Sequence, residues 1–354
     1  MGALPARFRR PRVLIVGCGD VGLRVARDLT APLTVTTHPL GTALTLTTLP
    51  PPSAAPSPSA APSATRSRVR VLALTSSPER VAQLRSQGLV PLQGNLDTPA
   101  TLARLSGIAT HIVHMAPPPS DGKTTGREGD AAQWWRDPRT QHLLQALRRR
   151  SPPRSLVYGS TSGVYGDCGG AWVNEARPVQ PHTPRAQRRV DAERLLRHYG
   201  RASGVRASIL RIPGIYAPDR EGGTPRPRLL KGTPVLRAED DVYTNHIHAD
   251  DLARATIAAL WHGKPQRAYN VSDDTQLKMG DYFDAAADLY NLPRPPRVAR
   301  GAAQEQLPLM LLSFMSESRR LDNTRMKEEL RVALHFGDVR AGLRAGMEPE
   351  LLLI

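Results

Sequence analysis

Arg12-Val13-Leu14-Ile15-Val16-Gly17-Cys18-Gly19-Asp20-Val21-Gly22-Leu23-Arg24-Val25-Ala26-Arg27-Asp28-Leu29 runs from an apolar segment through three closely spaced glycines into a second segment of regularly spaced apolar residues. Val13 to Val16 form an unbroken apolar run, the pattern of a strand covered on both faces. Beyond the glycines, Val21, Val25, Ala26 and Leu29 recur at helical spacing. A strand that ends at Gly17-x-Gly19-x-x-Gly22 and opens a helix has a mechanism. Gly17 allows the tight turn, Gly19 lets the backbone approach a pyrophosphate, and Gly22 lets helix and strand pack closely. The helix N-terminus then offers free amides and a positive dipole to the phosphates. The expectation is a Rossmann domain that holds NAD or NADP at Gly17, Gly19, Asp20, Val21 and Gly22.

Downstream the rhythm is interrupted. From about residue 31 to 67 the chain is rich in Thr, Pro, Ser and Ala, including Pro50-Pro51-Pro52-Ser53-Ala54-Ala55-Pro56-Ser57-Pro58. So little apolar surface does not offset the ordering entropy, and the stretch reads as a disordered insertion in a surface connection. Strands are then expected at Val69–Leu74, Leu89–Leu92, His111–Met115, Leu156–Tyr158 and Ala207–Arg211, with helices near Ser77, over Pro99–Leu105, over Thr140–Arg150 and past Arg185. Alternation of this kind predicts an α/β fold with a doubly wound parallel sheet. The segment from 10 to 220 is expected to form the Rossmann domain, and 221 to 354 a smaller α+β substrate lobe packed on it.

An NAD site usually carries Asp or Glu at the end of the second strand, for the ribose 2′-hydroxyl. Here Leu74 is followed by Thr75, Ser76 and Ser77, with Arg80 one turn on. This neutral-to-basic set accommodates a 2′-phosphate, which gives a slight preference for NADP; the alternative is that Ser76 and Ser77 cap the next helix.

The formal charge of +16 raises the question of nucleic acid, but the excess is Arg spread along the chain rather than a basic stripe, so nucleic acid is not expected as a partner. Two cysteines far apart, Cys18 and Cys168, fit a reducing compartment and exclude a disulfide framework, and no metal site is expected. No apolar run reaches spanning length and no signal-peptide core precedes the first strand, so the expectation is a cytoplasmic protein without a membrane partner.

Several further segments resemble the extended short-chain dehydrogenase/reductase superfamily, the NAD-dependent epimerases, dehydratases and reductases. Gly94-Asn95-Leu96-Asp97 is similar to the motif after the third strand, where Asn95 and Leu96 would flank the adenine. Met115-Ala116-Pro117-Pro118 is similar to the fourth strand's end, where Ala116 would run beside the cofactor. Tyr158-Gly159-Ser160-Thr161-Ser162-Gly163-Val164-Tyr165-Gly166 matches the Ser/Thr-rich strand end before Val-Tyr-Gly, with Thr161 where the family polarises the substrate carbonyl. Leu210-Arg211-Ile212-Pro213-Gly214-Ile215-Tyr216-Ala217-Pro218 resembles the segment beside the nicotinamide, near Pro213, and Asn245-His246-Ile247-His248-Ala249-Asp250-Asp251 resembles the Ile-His-Val-Asp-Asp motif of the substrate lobe. With its short glycine spacing the chain is most similar to a bacterial YeeZ-like branch. A homodimer through two helices, common in the superfamily, is what the resemblance offers for assembly.

The resemblance breaks at the catalytic pair. Where the family carries Tyr, three residues, then Lys, this helix reads Pro184-Arg185-Ala186-Gln187-Arg188-Arg189-Val190-Asp191-Ala192-Glu193. Arg185 takes the tyrosine place and Arg189 the lysine place. A guanidinium stays protonated, so Arg185 does not shuttle a proton; it can grip a carboxylate or phosphate, or simply face solvent. Arg189 can still donate to ribose hydroxyls. Tyr165 and Tyr216, then His246 and Glu175, are the remaining proton-carrier candidates, each with a packing role as the alternative, while His248 and Asp250 are expected to order a loop and cap a helix near Asp251. Ser318–Leu330, with Arg319 and Arg320 ahead of a capped helix, could close over an anion or form a surface turn. Two functions follow: an atypical NAD(P)-dependent oxidoreductase or epimerase/dehydratase-like enzyme on a small, anionic carbonyl or sugar-like substrate, or a nucleotide-binding regulator without turnover.

Overall fold

A computed structural model describes residues 10–31, 69–119, 134–307, 312 and 315–347. Apart from Ala31, the insertion expected at 31–67 lies outside the described residues. Seven strands form one parallel sheet: β1 (Arg12–Val16), β2 (Arg70–Thr75), β3 (Val90–Gln93), β4 (His111–His114), β5 (Ser155–Thr161), β6 (Arg206–Ile212) and β7 (Arg267–Asn270). Their order is 7-6-5-4-1-2-3, all pairs parallel, so the direction of winding reverses between β1 and β4. That reversal leaves a crevice beyond the carboxyl ends of β1 and β4, where ligands bind in open α/β sheets.

The apolar runs are explained by two helical layers. Val13 and Ile15 of β1 point into one core, which also takes Val71 and Ala73; Leu14 and Val16 point into the other, with Leu72 and Leu74. Each such buried Val, Leu or Ile side chain contributes about 1.5–3 kcal/mol. The first layer is built on α1 (Asp20–Thr30), whose Val25 and Leu29 are buried. The second holds α3 (Pro138–Leu147) and α4 (Pro184–Ser203), through Leu143, Leu147, Leu196 and Tyr199. Between β2 and β3 lies α2 (Arg80–Ser86). Pro99–Leu105, expected as a helix, is a 3-10 helix.

Beyond β6 the chain forms α5 (Arg226–Leu230), α6 (Ala249–His262), α7 (Met279–Leu289), α8 (Arg300–Gln306), α9 (Thr324–Leu330) and α10 (Val339–Arg344), with several two- and three-residue strands. Leu229, Val235, Phe283, Ala303 and Leu343 make a separate small core there. The segment expected to be lobe alone also serves the sheet: α6 supplies Leu252 and Ala259 to the first core, and β7 is the sheet's edge. No helix among the described residues is long and apolar enough to cross a membrane.

Candidate dinucleotide site

At the crevice the three glycines separate into two kinds. Gly17 has φ +94°, and a Cβ there would overlap the Ala116 amide nitrogen, so Ala116 sits directly on the turn. A Cβ on Gly22 would overlap the Gly17 carbonyl. Both are glycines for the sake of the fold. Gly19 is not: its φ of −75° and ψ of −162° suit any residue, and a Cβ there would meet nothing within 4 Å. The backbone at Gly19 is thus open to approach from outside, and α1 begins there with no side-chain cap on its amides. The residues therefore fit a dinucleotide whose pyrophosphate lies on Gly19, Asp20 and Val21. Cys18 is a core thiol, pushed up to about 12 by burial.

Arg80 reaches this turn from α2, where its Nη2 donates to the Cys18 carbonyl at 2.7 Å. Ser76 is exposed in the same connection, and α2 starts with no side-chain cap, so the capping alternative for Ser76 and Ser77 is not what the structure shows. Past β3, Asn95 Oδ1 accepts from the Asp97 amide at 2.9 Å and Leu96 is buried. Two residues of α3 missed by sequence reasoning fasten this turn. Arg139 donates to Asp97 through Nε and Nη2, both at 2.7 Å, and to the Pro117 carbonyl through Nη1 at 3.0 Å. His142 Nδ1 lies 2.7 Å from the Leu96 carbonyl. Arg139 holds the Asp97 carboxyl below its ordinary range. Nothing in the sequence flags Arg139, because its partner is 42 residues away.

At the end of β5, Thr161 is half-buried and its Oγ1 accepts from the Gly163 amide at 3.3 Å, leaving its own hydrogen free to donate. Gly163 lies between Thr161 and Ala186, so the first turn of α4, with Arg185, packs onto the Thr161 turn. Arg185 is exposed. Among the described residues no carboxylate acts on it, and protein crowding together with the neighbouring Arg189 charge lowers its pKa. Arg189 is buried; its Nη1 donates to the Gly159 carbonyl and to the Tyr158 hydroxyl, its guanidinium lies 5.4 Å from the Tyr158 ring centroid, and Nε finds no hydrogen-bond partner among the described residues. Pro213 joins β6 to the strand Gly214–Tyr216 at the same edge.

The proton-carrier candidates are placed differently. Tyr165 is 1% exposed; its hydroxyl donates to Asn270 Oδ1 at 2.7 Å and accepts from Arg211 Nη1 at 2.9 Å. Both functions of that phenol are engaged, and burial raises its pKa. Tyr216 and His246 are buried in the small lobe, where burial lowers His246 to about 4. Glu175 accepts from the Asn270 amide at 2.8 Å and pairs with Arg325. His248 caps α6, accepting from the Asp250 amide at 3.2 Å. Arg320 lies over the Trp172 and Tyr243 rings. Arg80 and Ala116 thus lie against the glycine turn, whereas Tyr165, Tyr216 and His246 lie in the core.

A family model described as the NAD dependent epimerase/dehydratase family matches residues 61–272, more than half of the chain. The chain belongs to that family. The match begins inside the stretch that interrupts the sheet, so the glycine turn lies ahead of it, yet β1 pairs with β2 in full register from Arg12↔Arg70 to Val16↔Leu74. Among curated relatives, the chain is 26% identical over 162 residues to a GDP-6-deoxy-D-mannose reductase from Pseudomonas aeruginosa, covering 42% of this chain and 53% of that protein. It is 29% identical over 145 residues to a dTDP-glucose 4,6-dehydratase from Mycolicibacterium smegmatis, covering 39% and 43%. The matches thus span about half the length of those relatives. Among solved structures, a conserved protein of unknown function from Silicibacter pomeroyi DSS superposes with a TM-score of 0.65 at 26% identity, covering 95% of this chain and 98% of that one. A UDP-glucose 4-epimerase from Thermus thermophilus, in complex with NAD, superposes with a TM-score of 0.64 at 20% identity over 94% and 96%, a likeness of fold.

Proposed function

We propose that this family member binds NADP in preference to NAD at the glycine turn and acts as an atypical oxidoreductase or epimerase/dehydratase-like enzyme on a small, anionic carbonyl or sugar-like substrate. The observation that carries the cofactor reading is Gly19, where a Cβ would meet no protein atom within 4 Å and the α1 amides have no side-chain cap. When bound, the nicotinamide would supply hydride chemistry. Around it, Thr161 donates to the substrate oxygen, Arg185 binds the substrate's anionic group, and Arg189, already fixed to Gly159 and Tyr158, orients the ribose. Arg80 beside Ser76 supports a 2′-phosphate. Arg80→Ala is accordingly expected to weaken NADP by about tenfold and NAD by much less, and equal losses for both cofactors would refute the NADP preference.

Turnover is tested by following NADPH oxidation with a panel of small keto acids and sugar phosphates. Thr161→Ala is expected to lower kcat about 100-fold, the scale of one lost transition-state donor, with little change in cofactor affinity. A second reading, a nucleotide-binding regulator, is favoured by one observation: the Tyr165 hydroxyl is bound on both sides, while Arg185 and Arg189 replace the proton-carrying pair. Tight cofactor binding with neither oxidation of bound NADPH nor an isomerised or dehydrated product from any of the panel would select it.

A further inference from the structure

Arg220 occupies a place that the glycine motif does not assign. It sits in the connection after the strand Gly214–Tyr216, in a tight loop where the Ala217 amide donates to the Gly223 carbonyl at 3.2 Å and the Gly223 amide to the Arg220 carbonyl at 2.9 Å. From there Arg220 Nη1 donates to Asp20 Oδ2 at 2.6 Å, across 200 residues of sequence. Asp20 follows Gly19 directly and opens α1. Its other oxygen accepts from Arg24 Nε at 3.0 Å, and Arg24, 6% exposed, also holds Asp219 and Asp250 at 2.7 Å each.

The two arginines differ in how committed they are. Arg24 is a buried hub with three carboxylates. Arg220 is 29% exposed, and among the described residues its carboxylate is Asp20 alone. A carboxylate in the first turn of a helix is well placed by itself, since the dipole favours negative charge there. The same carboxylate repels a diphosphate laid on that turn, unless a cation stands between them.

We propose that Arg220 is the counter-charge for the cofactor diphosphate, held on Asp20 in the free protein and turned onto the phosphate oxygens when a dinucleotide binds, with Asp219 on Arg24 anchoring the loop that carries it. A guanidinium suits this exchange because its planar fork matches carboxylate and phosphate alike. The inference rests on the cofactor reading above, and it makes residues 217–223 part of the cofactor site although they lie in the connection towards the small lobe.

The test is calorimetric titration of the wild-type protein, Arg220→Gln and Asp20→Asn with NADP, NAD and ADP-ribose, each protein's melting temperature being recorded alongside. Arg220→Gln is expected to weaken all three ligands about tenfold. Asp20→Asn, which removes the repulsion and frees Arg220, is expected to tighten them about threefold. These opposite signs separate a counter-charge from a structural staple, for which both changes would lower the melting temperature and leave affinity alone or shift it in the same direction. Wild-type binding that Arg220→Gln does not alter would overturn the role of Arg220 only. No binding by the wild type would overturn the cofactor reading, and this inference with it.

Discussion

Glu193→Ala is expected to lower the free energy of unfolding by about 3–5 kcal/mol, the cost of stranding a buried charge. Glu193 lies on α4 with 1% of its surface exposed. Its Oε1 accepts from Ser160 Oγ at 2.7 Å and Arg211 Nε at 3.3 Å, and its Oε2 from Arg211 Nη2 at 2.9 Å. Arg211 is itself 3% exposed and lies over the Tyr165 ring at 4.7 Å, so this one carboxylate joins α4, β5 and β6 directly behind Thr161. Without it, Arg211 keeps, among the described residues, only the Tyr165 hydroxyl and the Glu175 backbone carbonyl, neither of them charged. At about 2–4 °C per kcal/mol for a domain of this size, melting should fall by about 10 °C; a variant that melts with the wild type would contradict the account.

The same residue sets a pH dependence. Burial pushes the Glu193 carboxyl up, but the charge and hydrogen bond of Arg211 more than offset this, so it titrates below its ordinary 4.5 in the folded protein. A depressed carboxyl contributes stability above its unfolded pKa and loses it as pH falls through the folded value. The wild type should therefore lose melting temperature steeply below about pH 4.5, and the Ala variant less steeply.

Gly19→Val is expected to weaken dinucleotide binding about 100-fold, close to 3 kcal/mol, with little change in melting temperature, because the poorer helix N-cap that valine makes is offset by the stiffer unfolded chain. The backbone at 19 lies in the extended region that any residue adopts, and a Cβ there meets no protein atom within 4 Å. Replacing glycine also lowers the entropy of the unfolded chain. The added atoms instead fill the space through which a diphosphate reaches the α1 amides. At Gly22 the same change would drive Cβ into the Gly17 carbonyl and cost stability directly. The contrast makes position 19 a test of ligand rather than of fold. Lost stability with unchanged binding would mean that the turn is only a packing device.

What could be read from the chain follows from how local each feature is. Val13 to Val16 announce a strand because consecutive side chains enter opposite cores, so every position must be apolar. The edge strand Arg267-Ala268-Tyr269-Asn270 carries no such signal; its burial depends on β6, paired from Arg267↔Ser208 to Asn270↔Arg211. Tyr165 looked like a cleft residue by motif. The 3-10 turn at Ser162–Tyr165 points it instead between Arg211 and Asn270, the latter 105 residues away. Arg139 on Asp97 and Arg220 on Asp20 were equally invisible, since each pair exists only after the sheet has brought distant loops to one edge. The exchange of the catalytic pair for Arg185 and Arg189 was legible without any structure, because it is a matter of side-chain chemistry.

The most direct measurement is a calorimetric titration of the purified wild-type protein with NADPH, NADP, NADH and NAD in turn. Saturable one-to-one binding, tighter for the 2′-phosphorylated pair, is the predicted result. No heat from any of the four at millimolar ligand would contradict the account, because the open approach at Gly19 would then have no nicotinamide dinucleotide to serve.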